Sequence, residues 1–156
     1  LERYTSGANV FTRSGNRIDA LMRSRGFVST LLFCEIKTHK TPLLGALYRE
    51  PATYGLHKEL TGSVAQVQKT TRKALRQFSE QMAEHIKASG ERTGTEYSVS
   101  RPRQVVVIGK LDQFDDGHGV NPEKLETFEL FRTSLSDTEV ITYDELHQRA
   151  RFIVEN

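Results

Sequence analysis

The chain has 156 residues with a formal net charge of +2, 37% apolar and 27% charged, a length and balance that support one domain with a real core rather than a disordered polymer. No run approaches the ~18–20 apolar residues a membrane span needs, so no membrane partner is expected. The single cysteine, Cys34, excludes an internal disulfide and fits a reducing cytoplasm, where a buried thiol serves as a small hydrophobe rather than a nucleophile.

The chain opens at Leu1 with no basic-then-apolar leader, and we expect a single domain over residues 1–156, a C-terminal fragment of a longer protein. Charge is unevenly spread. Residues 1–110 carry 18 Lys and Arg against 9 Asp and Glu, whereas residues 111–156 carry 4 against 11. A basic body with an acidic tail suits a polyanion-binding surface on the first part; two ordinary solvated faces explain the charge equally well.

In chain order, residues 9–22 contain the turn signal "RSGN" and then a short apolar–polar stretch. Residues 27–37, "FVSTLLFCEIK", read as a largely buried strand, antiparallel to residues 17–22 across "RSRG". Residues 42–60, with two prolines, read as irregular. The periodicity of Val64, Val67, Thr71, Leu75, Phe78, Met82 and Ile86 predicts a helix over 63–88, ended by Ser89-Gly90. A polar loop at 89–100 leads to "RQVVVIGKL" (103–111), a central strand. "TEVITYDELHQRARFIVE" supplies a last strand and a helix starting at Tyr143, with Thr142 and Glu145 as a capping box. Phe128, Leu130 and Phe131 read as core. The fold class expected is α/β (α+β), a mixed sheet with helices packed on it.

"FCEIKTHK" (33–40) carries the chemistry. Strand alternation sends Glu35 and Lys37 to one face, about 7 Å apart, and Cys34 and Ile36 to the other, which is taken as the core face. A hairpin centred near Phe27 places Asp19 across from Glu35. Two adjoining half-buried carboxylates repel unless a cation neutralises them. Mg²⁺ takes one or two carboxylates plus water and phosphate, and a neighbouring lysine can hold the attacking water or stabilise developing charge. Glu-x-Lys alone is weak, since a chain of this length shows it by chance in roughly one case in two; an ion pair at an exposed strand end is the plain alternative. Gln66, Lys69, Lys73, Arg76 and Glu80 share one helical stripe. With Gln66 near the helix start, Lys69, Lys73 and Arg76 are candidates for contacts to a nucleic-acid backbone. Alternatively, Ser63 and Gln66 form a capping box and the cations a solvated face.

The order Asp19, "EIK" (35–37), then Gln66 on the following helix resembles the PD-(D/E)xK nuclease superfamily. "EIKTHKTPLL" (35–44), "YRE" (48–50), "ELTGSVAQV" (59–67), "VVVIGKLD" (105–112) and "ITYDEL" (141–146) together resemble the Shedu-type antiphage defence nucleases. That resemblance implies a restriction-endonuclease-like mixed β-sheet core flanked by helices. It implies catalysis by Asp19, Glu35, Lys37 and Gln66. Mg²⁺, with Mn²⁺ as substitute, would be held by Asp19, Glu35 and the Ile36 carbonyl. It implies cleavage of double-stranded DNA in bacterial immunity, homo-oligomers and a further N-terminal region. The chain departs from the motif at Ile18, where the superfamily has proline, and Glu2 is the sole candidate for an upstream acid. A non-catalytic DNA-binding or oligomerisation module with the same fold is the competing expectation.

Other residues carry less. The histidines at 39, 57, 85, 118 and 147 lack zinc-like spacing, although His39 falls near Lys37. "DDGHG" (115–119) reads as a surface turn, and "VVVIGKLD" lacks the context of a nucleotide loop.

Overall fold

The computed structural model describes residues 2–4, 19–23, 29–89 and 97–155, with backbone alone at 2–4, 23, 29, 77–89 and 97–101. Residues 24–28, where the sequence predicts most of the "RSRG" turn, Ile18 and the side chain of Glu2 lie outside the described residues, as do the side chains of Phe78, Glu80, Met82 and Ile86.

Strands β1 (Glu2–Tyr4), β2 (Ala20–Arg23), β3 (Ser29–Ile36), β6 (Tyr97–Val107) and β7 (Thr138–Ile141) form one sheet in that spatial order. The first three are antiparallel, whereas β3–β6 and β6–β7 are parallel. Parallel neighbours require crossovers, and two helices supply them: α1 (Lys58–Ser89) between β3 and β6, and α2 (Pro122–Thr133) between β6 and β7. Helix α3 (Tyr143–Glu155) closes the chain. The expected mixed sheet with helices packed on it is therefore the architecture, α+β in class. Among the described residues no helix is long and apolar enough to cross a membrane.

Helix α1 forms because Leu60, Val64, Val67, Thr71 and Ala74 recur on one face, and that face is buried against Leu31 and Phe33 of β3 and Val106 of β6. It begins five residues earlier than the periodicity predicts. The first turn starts after His57, whose carbonyl accepts from Leu60 and Thr61 and whose Nδ1 accepts from the Glu59 N–H at 3.2 Å. Ser63 is therefore a helix-interior residue, its hydroxyl donating back to the Glu59 carbonyl at 2.6 Å, and the Ser63–Gln66 capping box does not exist.

Residues 42–60 also differ from expectation. They hold an antiparallel ribbon, β4 (Leu44–Arg49) with β5 (Thr53–Leu56), before α1 begins. Five of six β4 residues are exposed, so no buried face imposes an alternating pattern that a sequence could show. Helix α2 was likewise absent from the predicted order. Asn121 caps it, accepting from the Glu123 and Lys124 N–H groups, and Pro122 opens it. Phe128 is buried against Phe114, but Leu130 is 65% exposed and does not belong to the core.

The β7–α3 junction is as predicted: Thr142 N–H and hydroxyl both donate to the Glu145 carboxylate, at 3.0 and 2.8 Å. Burial opposes the charge on Glu145, but these donors and the Arg132 guanidinium hold its pKa below the ordinary glutamate range. "DDGHG" is a turn in which Asp115 Oδ1 accepts from the Gly117 and Gly119 N–H groups.

After β6 the chain turns at Gly109, with φ of +61°. A Cβ there would stand 2.8 Å from the Thr41 carbonyl and from Leu43 Cδ2. Gly109→Ala is expected to destabilise the fold by about 2–4 kcal/mol, combining left-handed strain with overpacking, as read by urea unfolding. An unchanged midpoint would show that this turn is not tightly fixed.

Candidate metal and phosphate site

The site lies at the C-terminal end of β3. Ala20 pairs with Cys34, so the ladder continued by one residue sets Asp19 across from Glu35, as the sequence predicts. Asp19 Oδ2 accepts the Ile36 N–H at 2.9 Å. Lys37 Nζ stands 3.2 Å from Glu35 Oε1, and Gln66 Nε2 donates to Glu35 Oε2 at 2.9 Å. Asp19, Glu35, Lys37 and Gln66 thus converge, although Gln66 lies in the third turn of α1 rather than near its start.

Both faces of β3 are covered near its end: Cys34 is buried as expected, but the face of Glu35 is covered as well. Leu31, Phe33 and Glu35 form the alternating row that faces α1, so Glu35 ends the core row and is only 4% exposed. Ile36, taken as a core residue, is 44% exposed. The physical reason is that residues 31–34 are apolar on both faces of a central strand, which hides the side that a helix will cover.

Burial, then the charge of Asp19, raise the Glu35 pKa above the ordinary carboxylate range, with Lys37 opposing. Cys34 next to them has its thiol pushed up to about 11, first by burial and then by Asp19 and Glu35. It stays protonated at neutral pH and serves as packing, not as a nucleophile.

These groups fit a hard divalent cation. Asp19 and Glu35 offer oxygen donors, and each oxygen of a carboxylate has a second lone pair beyond the one used by Gln66, Lys37 or the Ile36 N–H. Among the described residues no three or more His, Cys, Asp or Glu converge, so the candidate is a two-carboxylate centre, the number Mg²⁺ uses. At Ile36 the described contact is through its N–H to Asp19.

Lys69 and Arg76 are exposed on α1 and Lys73 is half-buried. They follow Gln66 at steps of three and four, and Arg76 lies about 15 Å beyond Gln66 along the helix axis. The three make a rail that leads away from the carboxylates rather than part of their cluster. His39 is exposed, its ring 6.0 Å from that of Tyr143 in an edge contact. Tyr143 was not foreseen: its hydroxyl donates to the Lys37 carbonyl at 2.7 Å across 106 residues of chain. Its one sequence signal was its place in "ITYDEL".

Because folding raises the Glu35 pKa, the native state is favoured below the ordinary glutamate pKa and loses that advantage as pH rises through the folded value. Glu35→Gln removes this cost. In chelator, the variant is expected to melt above wild type at neutral pH, with the gap narrowing toward about pH 4. A gap independent of pH would contradict the electrostatic account.

Two comparisons with known proteins agree with one another. The family described as "Shedu protein SduA, C-terminal" matches residues 2–147. A Shedu protein SduA of Bacillus cereus (strain B4264) is 31% identical over 156 residues, covering 99% of this chain and 38% of that protein. The chain therefore spans well under half the length of the relative it matches. Family match and relative together place this chain in the Shedu SduA C-terminal family.

Proposed function

We propose that this chain is a metal-dependent DNA endonuclease domain of the PD-(D/E)xK type, hydrolysing phosphodiester bonds in bacterial defence against phage. The observation that carries the reading is the convergence of Asp19, Glu35, Lys37 and Gln66 from two adjacent strands, their ends and a helix. A buried carboxylate beside a second one is costly, and a structural role would be served better by apolar residues. Family membership supports the defence context. Double-stranded DNA as substrate, a homo-oligomeric assembly and a cytoplasmic setting belong to the same proposal.

In this reading Asp19 and Glu35, with the Ile36 carbonyl, hold the cation, Mg²⁺ or in its place Mn²⁺. Bound there, it supplies charge stabilisation at the scissile phosphate and lowers the pKa of water. Gln66 restrains Glu35 by a hydrogen bond and leaves Glu35 Oε1 to Lys37. The Lys37 ammonium is the mobile cation of the site: it neutralises Glu35 when the site is empty of substrate, and turns to the phosphate or the attacking water when DNA arrives. Lys69, Lys73 and Arg76 follow the DNA backbone, adding affinity without sequence preference.

The test is cleavage of linear and circular DNA with and without Mg²⁺. Lys37→Ala is expected to remain folded and lose about 10²–10⁴-fold in rate, and chelator is expected to abolish cutting by wild type. Cutting by Lys37→Ala at the wild-type rate, or cutting that persists in chelator, would remove this mechanism. DNA binding without any metal-dependent cutting by wild type would favour the non-catalytic module. Lys69→Ala and Arg76→Ala should each weaken DNA binding across sequences and lower the salt slope by about one. Binding unchanged in slope would take the rail out of the interface.

A further inference from the structure

We propose that Tyr143 is a positioning residue of this site, its hydroxyl fixing the backbone of Lys37 and so the aim of the lysine. The proposal rests on the nuclease reading above and adds a residue to it from the far end of the chain.

Strand β3 ends at Ile36, and Lys37 stands one residue beyond it. Three consecutive peptide groups there are held by three different elements. The Ile36 N–H donates to Asp19 Oδ2 at 2.9 Å. The Lys37 N–H donates to the Val107 carbonyl of β6 at 2.9 Å. The Lys37 carbonyl accepts the Tyr143 hydroxyl of α3 at 2.7 Å. Both peptide groups flanking the Lys37 Cα are thereby tied down, and with them the direction of its Cα–Cβ bond. A lysine reaches its target through four flexible methylenes, so once the ammonium leaves Glu35 a fixed root narrows where it goes.

The tyrosine is itself delivered rigidly. Its own N–H donates to the Gly109 carbonyl at 3.0 Å, and the Gly109 N–H donates to the Thr38 carbonyl at 3.1 Å. Asp144 next to it accepts the Leu111 N–H at 2.9 Å, and Glu145 is paired with Arg132 of α2. Packing against His39 needs only the ring, which phenylalanine would supply; the hydroxyl is the part that reaches Lys37.

Tyr143→Phe removes that one bond. In metal-free protein, amide hydrogen exchange at Lys37 should speed up about tenfold, while the Ile108 amide, bonded to the Ile141 carbonyl in the core, should not change. In the DNA-cleavage assay kcat should fall about ten- to a hundredfold with KM changed less than about twofold. Unchanged exchange at Lys37, an unchanged kcat, or equal acceleration at Ile108 would each overturn the proposal. Wild-type cutting tests the reading on which it rests; the difference between wild type and variant tests the role of the hydroxyl.

Discussion

A carboxylate that ends a hydrophobic row is the constraint around which this domain is arranged. Glu35 follows Leu31 and Phe33 on the face that α1 covers, and a second carboxylate, Asp19, stands across from it just before β2. Burial and like charge both disfavour ionisation there, and Lys37 opposes them only in part. The structure meets that cost with donors from two directions, Lys37 from just beyond the same strand and Gln66 from the helix above. An arrangement of this kind is poor as a stabilising device and well suited to receiving a cation.

The fold makes the convergence possible because β3 is where the two halves of the sheet meet. On one side it pairs antiparallel with β2, which brings Asp19; on the other it pairs parallel with β6, which lets α1 cross over the sheet and lower Gln66 onto Glu35. The residues of α1 that touch the core lie between two flanks. One carries Gln66 toward the carboxylates and the other carries Gln68 to the Thr138 hydroxyl of β7 at 3.3 Å. The same helix therefore fixes its own rotation over the sheet while holding Gln66 against Glu35. From the other end of the chain, α3 reaches back to the residue that follows the strand, so the short segment after Glu35 is bounded by β2, β6 and α3 at once.

Much of this was legible in the sequence, for reasons that differ by element. The β2–β3 register agrees with the pairing, centred near Phe27, that sets Asp19 across from Glu35, and α1 and β7–α3 followed from strong periodicity and a capping box. The burial of Glu35 and the exposure of Ile36 were misjudged, although Cys34 is buried as expected, because apolar residues on both sides of a central strand carry no facing signal. The start of α1 was missed because His57 caps it with backbone and imidazole rather than with the usual hydroxyl or carboxylate. The β4–β5 ribbon buries too little to pattern its sequence, whereas α2 did announce itself in Asn121-Pro122. Gln66 was singled out by the resemblance; the physical reading of it as a residue near a helix end was wrong, and crossover geometry brings it to Glu35 instead. Tyr143 depended on a contact spanning 106 residues, which no local pattern encodes.

Calorimetric titration of Mn²⁺ into wild type and Asp19→Asn tests the central claim most directly, since it asks whether the paired carboxylates form a cation site before any question of DNA. The account predicts one ion bound per chain by wild type and binding weakened at least tenfold in the folded variant, as expected when one of two charged ligands is lost. Equal binding by the two proteins, or none by wild type, would contradict it.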